Sequence, residues 1–382
     1  MKSIYFLLVG TILLSTMTGC KKILGKKSNS KVFKADLFKL NLQAQLNGAV
    51  GYAIVINQNG SLADSASFGI AQQNASSGTN IPASVYADIN IASVTKALTG
   101  MAVIKLLEQN SVPLNSSIAP WLPSVWTVSG AVSNITFHEL LTHTSGIRQS
   151  ITSWDSLRSV AARPLAGTKT YSYANANFAL FRAIIPKLYK TNLFNNMETV
   201  GPGFETWMDN QYITAMQELV FSPAQIANAI CNVDPMKTTM MAFNEVGTPL
   251  IQRNTGDWTA ISGGGGYYLS TFEMAKAMAY LAHTGNILST AQKKTMDDNL
   301  YGWDPEDAFN TDYGRAYGKD GALFWDNNNS GGVDAGDSGL QTWVGKFPGG
   351  IELALSVNSL GSSWRNLPFI VRVAYENAWV QP

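Results

Sequence analysis

The sequence predicts an α+β fold, an α/β sandwich in which both ends of the chain build one antiparallel sheet with helices on its faces. Two observations support this class. Runs of β-favourable residues separated by tight-turn signals lie near both ends, and helical patterns broken by Pro, Asn and Gly dominate the middle. We expect a sheet-containing subdomain from residues 36–120 and 245–382, and a mostly helical inserted subdomain over residues 121–244.

The first half of the chain contains a predicted hairpin followed by a predicted helix. Residues 50–69 consist of two β-favourable runs around Asn59-Gly60, a dipeptide typical of two-residue hairpin turns. Residues 93–110 place apolar side chains on one helical face, and the helix is expected to end at Asn110.

The second half contains a helix, a second hairpin and a closing helix. We expect a helix over residues 270–285, with Ser270 or Thr271 as its cap and Gly285 as its stop. Two strands flanking a Pro-Gly-Gly turn form the second predicted hairpin. Residues 367–380 are predicted to form the closing helix.

The composition describes a folded protein without the charge distribution of a nucleic-acid-binding protein. Of the 382 residues, 46% are hydrophobic and 14% are charged, which is enough for a sizeable core. The formal net charge is +1, so we expect no nucleic-acid partner.

The N-terminus is predicted to be a lipoprotein signal peptide over residues 1–19. Its apolar run, Ile4 to Leu14, is too short to span a bilayer. Small residues then precede Cys20, as in a bacterial lipoprotein processing site, so we expect a lipid on the Cys20 thiol and a basic tether over residues 20–35. This predicts a protein anchored in the bacterial cell envelope that faces the periplasm or the cell surface. The alternative is a plain signal peptide with a chance cysteine.

Ser93 and Lys96 form the first candidate catalytic pair. Positions three apart lie on the same face of a helix, so the lysine amine can approach the serine hydroxyl. The N–H of a serine in the first turn can also donate to a developing oxyanion. Because about one Ser-x-x-Lys is expected by chance in a chain of this size, a capping serine with a surface lysine is the alternative.

Four stretches in order resemble the penicillin-binding-protein-like serine hydrolases. That family includes class C β-lactamases, D-Ala-D-Ala carboxypeptidases, D-aminopeptidases and related esterases. The stretches are INIASVTKALTG around Ser93, ITFHELLTHTSGI (135–147), YSYANANFALFRAII (171–185) and ISGGGGYYLSTFEMAKAM (261–278). YGRAYG (313–318) is a weaker match. The resemblance covers about residues 40–360 and implies a β-lactamase/transpeptidase-like fold.

The resemblance also implies catalytic roles. Ser93 is the expected nucleophile, which forms an acyl-enzyme, and Lys96 is expected to assist its deprotonation. Tyr173 is expected to act as general base and then as general acid. Asn175 is expected to hydrogen-bond Lys96 or the substrate amide, whereas His143 is expected to be structural.

A third motif in that family, Lys-x-Gly or His-x-Gly, lies on a late strand beside the site. We assign Asp337-Ser338-Gly339 to it, because a strand, a hairpin and a final strand follow directly. The substrate-binding residues predicted on this basis are Asp337, Ser338, Gly339, Leu340 and Gln341, the last two as candidate oxyanion donors. A carboxylate in place of the usual cation is expected to disfavour substrates with a carboxylate near the scissile bond. A trypsin-like role for Ser338 is disfavoured, since the helical middle does not suit two β-barrels.

The same region matches a calcium-loop spacing. Oxygen-bearing side chains occupy positions 1, 3, 5, 9 and 12 of the loop, with Gly at position 6. They are Asp326, Asn328, Ser330, Asp334 and Asp337. A polar connecting loop is the favoured interpretation and a calcium site the alternative, because position 12 is Asp rather than Glu and predicted strands flank it. We therefore expect no required cofactor, with structural calcium as the metal candidate.

These observations predict a serine hydrolase that forms an acyl-enzyme on Ser93. Its expected substrate is an ester, an amide or a D-amino-acid peptide, and its expected membrane contact is the lipid on Cys20. The alternative is a catalytically weak or inactive family member that binds cell-wall peptide or another ligand in the same cleft.

Overall fold

The computed structural model describes residues 31–73, 79–234, 239–244, 256–326, 336–361, 364 and 366–382. The predicted signal peptide, Cys20 and most of the predicted tether lie outside these residues. The described helices are α1 Ala35–Gln45, α2 Thr95–Gln109, α3 Phe137–Leu141, α4 Trp154–Ala162, α5 Asn175–Ala179, α6 Phe181–Tyr189, α7 Thr191–Met197, α8 Phe204–Met216, α9 Thr271–His283, α10 Thr290–Asn299 and α11 Leu367–Glu376. Within the described part of the chain, no helix is both long and apolar enough to span a bilayer.

The described strands are β1 Val32–Phe33, β2 Gly51–Gln58, β3 Ser61–Gln73, β4 Asn80–Pro82, β5 Asp88–Asn90, β6 Asn232–Val233, β7 Gly256–Asp257, β8 Tyr268–Ser270, β9 Asn310–Thr311, β10 Gly314–Arg315, β11 Tyr317–Trp325, β12 Ser338–Phe347, β13 Ile351–Val357 and β14 Trp379–Val380. Six of these strands, from both ends of the chain, form the main sheet in the order β11-β12-β13-β2-β3-β4, and every neighbouring pair is antiparallel. This arrangement confirms the predicted α+β class.

Helices cover both faces of the sheet. Successive side chains of a strand point to opposite faces, so Ile54 packs into a core with α1 and α11 while Val55 packs into a core with α2 and α9. This double burial explains why β13 is buried over its whole length. Helices α3 to α8 lie between the two sequence segments that form the sheet, and the proposed limits of a separate helical subdomain stay a prediction.

Most of the predicted turns and caps are present. Asn59 and Gly60 adopt positive φ angles of 53° and 76° between β2 and β3, as a two-residue hairpin turn requires. Ser270 caps α9 by accepting a hydrogen bond from the backbone N–H of Glu273. The predicted stop at Gly285 is wrong by two residues, because α9 ends at His283.

The two ends of the described chain differ from the prediction. The closing helix ends at Glu376, and Trp379–Val380 instead form β14, which pairs with β1. Strand β11, at the edge of the main sheet, was not predicted. Its sequence starts YGKDG, and Gly, Lys and Asp are depleted in strands, so no strand signal marks its first half.

Candidate active site

Ser93 lies in a short 3₁₀ turn, Ala92–Val94, that leads directly into α2. Ala92 has a φ of 46°, a strained conformation for a residue with a side chain. Neighbouring side chains hold this turn in place. Asn90 Oδ1 accepts a hydrogen bond from the Ala92 N–H at 2.9 Å, and Thr342 Oγ1 donates to the Ile91 carbonyl at 2.8 Å. The backbone around Ser93 is therefore fixed from both sides.

Lys96 lies in the first turn of α2 and is only 1% exposed. Its Nζ donates to Ser93 Oγ at 3.0 Å, to Asn175 Oδ1 at 2.9 Å and to the Gly264 carbonyl at 2.7 Å. These three acceptors match the three protons of an ammonium group. Burial, followed by the nearby positive charge of Lys319, lowers the pKa of Lys96, although the charge of Tyr173 opposes this effect.

Tyr173 lies on the other side of Ser93. Its hydroxyl donates to Ser93 Oγ at 2.7 Å, and its ring stacks on His143 with centroids 4.5 Å apart. Burial acts to raise the pKa of Tyr173, but the positive charges of Lys96 and Lys319 outweigh it and the net shift is downward. Because the side chain is 37% exposed, burial penalises the phenolate less than the two cations stabilise it.

His143 packs against the Tyr173 ring. Its Nδ1 receives hydrogen bonds from the Ala174 N–H at 3.3 Å and from Asn177 Nδ2 at 3.2 Å. Burial, together with the charges of two lysines, lowers the pKa of His143 to about 3. The imidazole is therefore neutral at physiological pH. Its Nδ1 accepts hydrogen bonds, and its ring packs against that of Tyr173.

Strand β11, rather than β12, lies beside Ser93. A Cβ atom built on Gly321 would lie 2.6 Å from the Ile91 carbonyl oxygen and 2.9 Å from the Ser93 nitrogen. Lys319 is 2% exposed, and its Nζ donates to Asp320 Oδ1 at 2.5 Å and to Asp304 Oδ2 at 3.3 Å. The Lys-x-Gly motif beside the nucleophile position is therefore Lys319-Asp320-Gly321.

The structure does not bring the predicted substrate-binding residues 337–341 next to Ser93. Those residues are Asp337, Ser338, Gly339, Leu340 and Gln341, and they lie on or just before β12, one strand further from Ser93. Asp337 is fully buried, and a Cβ on Gly339 would meet the Leu360 side chain rather than open space. The literal Lys-x-Gly at 319–321, just after the weakly matching YGRAYG stretch, was the signal that could have found the motif.

The predicted calcium loop cannot be compared with the structure. Asn328, Ser330 and Asp334 lie outside the described residues, so a calcium site there stays a prediction. A different group of carboxylates, Asp304, Asp307 and Asp320, converges within 4.8 Å. Lys319 donates to two of these three carboxylates, so the chain supplies its own cation at that point.

Two cavities open beside Ser93, and Ala322 of β11 lines both. The first, called here the neutral cavity, has a volume of about 150 Å³. Its lining includes Ser150, Thr152, Asn175, Ile261, Gly264 and Leu323. The second, called here the acidic cavity, has a volume of about 340 Å³. Its lining includes Tyr171, Tyr173, Asp304, Glu306 and Asp320. Ser93 therefore lies between two spaces of different character.

The family model described as Beta-lactamase matches residues 40–350. The chain belongs to the beta-lactamase family. Members of this family are serine hydrolases, which supports a hydrolase activity in general for this chain. The match includes all of the residues around Ser93 described above.

Comparison with individual proteins supports the same relationship. A segment of 154 residues is 30% identical to Protein flp of Staphylococcus aureus (strain COL), and it covers 37% of this chain but only 30% of that protein. The fold is similar to that of a beta-lactamase/D-alanine carboxypeptidase from Yersinia pestis, with a TM-score of 0.64, 18% identity, and 90% and 96% of the two chains covered. A D-stereospecific amidohydrolase from Streptomyces sp. gives a TM-score of 0.60 at 16% identity, with 90% and 98% covered. At these identities the two structures indicate a shared fold.

Proposed function

We propose that the protein is a serine hydrolase that acts on an ester, an amide or a D-amino-acid peptide through an acyl-enzyme on Ser93. The observation that carries this proposal is the pair of hydrogen bonds to Ser93 Oγ, from Lys96 Nζ at 3.0 Å and from the Tyr173 hydroxyl at 2.7 Å. A serine hydroxyl is a weak nucleophile unless a neighbouring base accepts its proton. The site supplies two such groups, both with lowered pKa values.

In the reactive state Tyr173 has released its proton to solvent, which its lowered pKa favours, and its phenolate accepts the hydrogen bond from Ser93 Oγ. In the acylation step, Ser93 Oγ forms a bond to the substrate carbonyl carbon and its proton passes to the Tyr173 phenolate. The carbonyl oxygen then carries the negative charge. The Ser93 N–H and the backbone N–H of Ala322, a residue that lines both cavities, are the proposed donors to this oxyanion. When the bond to the leaving group breaks, the leaving atom takes the proton from the Tyr173 hydroxyl.

In the deacylation step, a water oxygen adds to the acyl carbon while its proton passes to the Tyr173 phenolate. The bond between the carbon and Ser93 Oγ then breaks, and Oγ recovers a proton from the Tyr173 hydroxyl. Lys96 stabilises the phenolate electrostatically and holds Oγ in place, because its own position is fixed by Asn175 and Gly264. Each step returns the site to its starting protonation state.

Covalent labelling tests this proposal. A fluorophosphonate probe should react with the purified protein, and mass spectrometry should find the adduct on the peptide that contains Ser93. The variant Ser93→Ala should lose labelling and the hydrolysis of p-nitrophenyl acetate. Ser338→Ala is the matched control, because Ser338 lies in the Gly-Asp-Ser-Gly stretch of β12, and it should retain both. Labelling that persists in Ser93→Ala and disappears in Ser338→Ala would refute the assignment.

One observation favours a second function, binding without turnover. Asp320 occupies the middle position of the Lys-x-Gly motif and pairs with Lys319, so the lysine charge is partly compensated. A folded protein that neither reacts with the probe nor hydrolyses esters would favour a ligand-binding role for the same cleft.

We also propose that the protein is anchored in the bacterial cell envelope by a lipid on Cys20. The apolar run followed by small residues and a cysteine supports this proposal. In a bacterial expression host, incorporation of a labelled fatty acid should occur in the wild-type chain and be absent from Cys20→Ala. Equal incorporation in both proteins would contradict it.

A further inference from the structure

We propose that the acidic cavity receives the leaving group of the substrate and selects leaving groups that carry a positive charge. This inference rests on the proposed acyl-transfer function and specifies its substrate class. The expected substrates are esters or amides whose alcohol or amine portion bears an ammonium or guanidinium group a few atoms from the scissile bond.

The position of Tyr173 assigns the leaving group to this cavity. The Tyr173 hydroxyl lies 2.7 Å from Ser93 Oγ, and the same side chain lines the acidic cavity. A general acid must lie within hydrogen-bond reach of the atom that it protonates. The leaving atom therefore departs on the Tyr173 side, and the neutral cavity, which contains Asn175, remains for the acyl portion.

The charges around the acidic cavity favour a cation. Among the described residues that line it, all of the charged side chains are carboxylates, namely Asp304, Glu306 and Asp320. The adjacent cation, Lys319, is 2% exposed and already donates to two of these carboxylates. Three carboxylates thus line the cavity beside two buried lysines, Lys96 and the already paired Lys319, so an anionic leaving group would meet like charge whereas a cationic one would be attracted.

The aromatic part of the lining favours an organic cation in particular. Tyr171 and Tyr173 are 44% and 37% exposed and both line the cavity, but His143 covers one face of the Tyr173 ring and the Nζ atoms of two buried lysines lie within 5.4 Å of its centroid, so Tyr171 offers its ring to a further cation. The face of a tyrosine ring attracts ammonium groups, and quaternary ammonium ligands are often held by several aromatic rings. A volume of about 340 Å³ accommodates a substituted ethylammonium group.

Three thioacetate esters of similar size test the inference. Acetylthiocholine has a cationic leaving group, 3,3-dimethylbutyl thioacetate has a neutral one of the same shape, and 4-(acetylthio)butanoate has an anionic one. Release of the thiol is measured with a disulfide reagent. We expect kcat/KM to be about tenfold higher for the cationic ester than for the neutral one, with the anionic ester lowest, and this preference should weaken as salt is added.

Two variants connect the preference to the cavity. Glu306→Gln and Asp320→Asn should each reduce the ratio of cationic to neutral kcat/KM by about threefold or more, since each removes one facing charge. Glu306 is exposed, so its replacement leaves the core intact. Glu376→Gln is the control, because it removes a partly exposed carboxylate of α11 that pairs with Arg372 and does not line the cavity, and the ratio should stay unchanged.

The outcomes separate this inference from the proposed function. Hydrolysis of all three esters at similar rates, or preference for the anionic one, would overturn the inference and leave the serine hydrolase proposal standing. A protein that reacts with fluorophosphonate at Ser93 but does not hydrolyse the cationic ester would also overturn it. Failure of both labelling and hydrolysis would instead reject the proposed function.

Discussion

The contact between Gly321 and the Ser93 turn leads to a quantitative prediction for Gly321→Ala. The added methyl group would lie 2.6 Å from the Ile91 carbonyl oxygen, 2.6 Å from Thr342 Oγ1 and 2.9 Å from the Ser93 nitrogen. Two of these atoms belong to the backbone that carries the proposed nucleophile. The Thr342 hydroxyl also cannot swing away freely, because it donates to the Ile91 carbonyl.

The size of the expected effect follows from these distances. Ordinary contacts for a Cβ atom begin near 3.4 Å, so either β11 or the turn must move by roughly 0.5–0.8 Å. Overpacking of this kind costs about 1–3 kcal/mol of stability. Since a misplacement of about 1 Å can reduce the rate about 100-fold, we expect kcat/KM to fall by about 10- to 100-fold.

The assay is the second-order rate of fluorophosphonate labelling, together with ester hydrolysis and the thermal midpoint. Gly285→Ala is the matched control, because nothing lies within 4 Å of its added methyl group and its φ is not positive. The control should match the wild type in all three measurements. A Gly321→Ala protein whose labelling rate stays within twofold of the wild type would refute the close approach of β11 to Ser93.

Three further predictions concern other parts of the fold. Arg182→Met should destabilise the protein by about 3–5 kcal/mol, measured by denaturant unfolding, because it leaves the Asp209 carboxylate without its buried partner. His143 binds a proton less readily in the folded state than in the unfolded chain. The free energy of unfolding should therefore fall as the pH drops below about 6.5, and His143 should account for a loss of about 2 kcal/mol at pH 5. His143→Asn should remove this component of the pH dependence, and an unchanged slope would contradict it. Ser270→Ala should cost about 1 kcal/mol through the lost cap of α9 and leave the fluorophosphonate labelling rate unchanged.

The sequence predicted the fold where local chemistry determines the backbone. Asn59-Gly60 can adopt the positive φ angles that a tight hairpin turn requires, and Ser270 can accept the hydrogen bond that begins a helix. Strand β11 lacks such a local signal, because its first half consists mainly of glycines and charged residues, which are depleted in strands. These residues instead serve contacts: Gly321 allows a close approach to the Ser93 turn, and Lys319 pairs with neighbouring carboxylates. The conformation of β11 depends on pairing with β12, which the sequence does not reveal locally.

The same difference explains which residues of the candidate site could be predicted from the sequence. Ser93 and Lys96 are three residues apart on one helix, so their proximity could be inferred from spacing. Lys319 lies beside Ser93 only because β11 pairs with β12 in a particular register, and the sequence did not predict β11. The first position of the Lys-x-Gly motif is therefore assigned to Asp337 in the sequence analysis. The electrostatic argument attached to Asp337, a carboxylate in place of the usual cation, does not hold at that motif position, because Lys319 supplies the cation and Asp320 pairs with it.

The two lysines beside Tyr173 divide the electrostatic roles of the site. Lys96 and Lys319 place their Nζ atoms 4.9 Å and 5.4 Å from the Tyr173 ring centroid, and both are buried. Two cations so close in a buried site disfavour each other unless carboxylates compensate one of them. Burial acts to lower the pKa of Lys319, but the charges of Tyr173, Asp320 and Asp304 outweigh it and the net shift is upward. Lys96 has no carboxylate among its hydrogen-bond partners, and burial lowers its pKa.

This separation makes Lys319 the permanent charge, and in the proposed mechanism the transferred proton moves between Ser93 and Tyr173 while Lys96 stabilises the phenolate. Asp320 therefore has two physical effects: it keeps Lys319 charged, and it presents a carboxylate to the acidic cavity. A threonine at position 320 would remove both effects, so Asp320→Thr should shift the acid limb of the pH–rate profile and lower the preference for cationic leaving groups together. If only one of the two changes, the charge of Lys319 and the selectivity of the cavity are set by different groups.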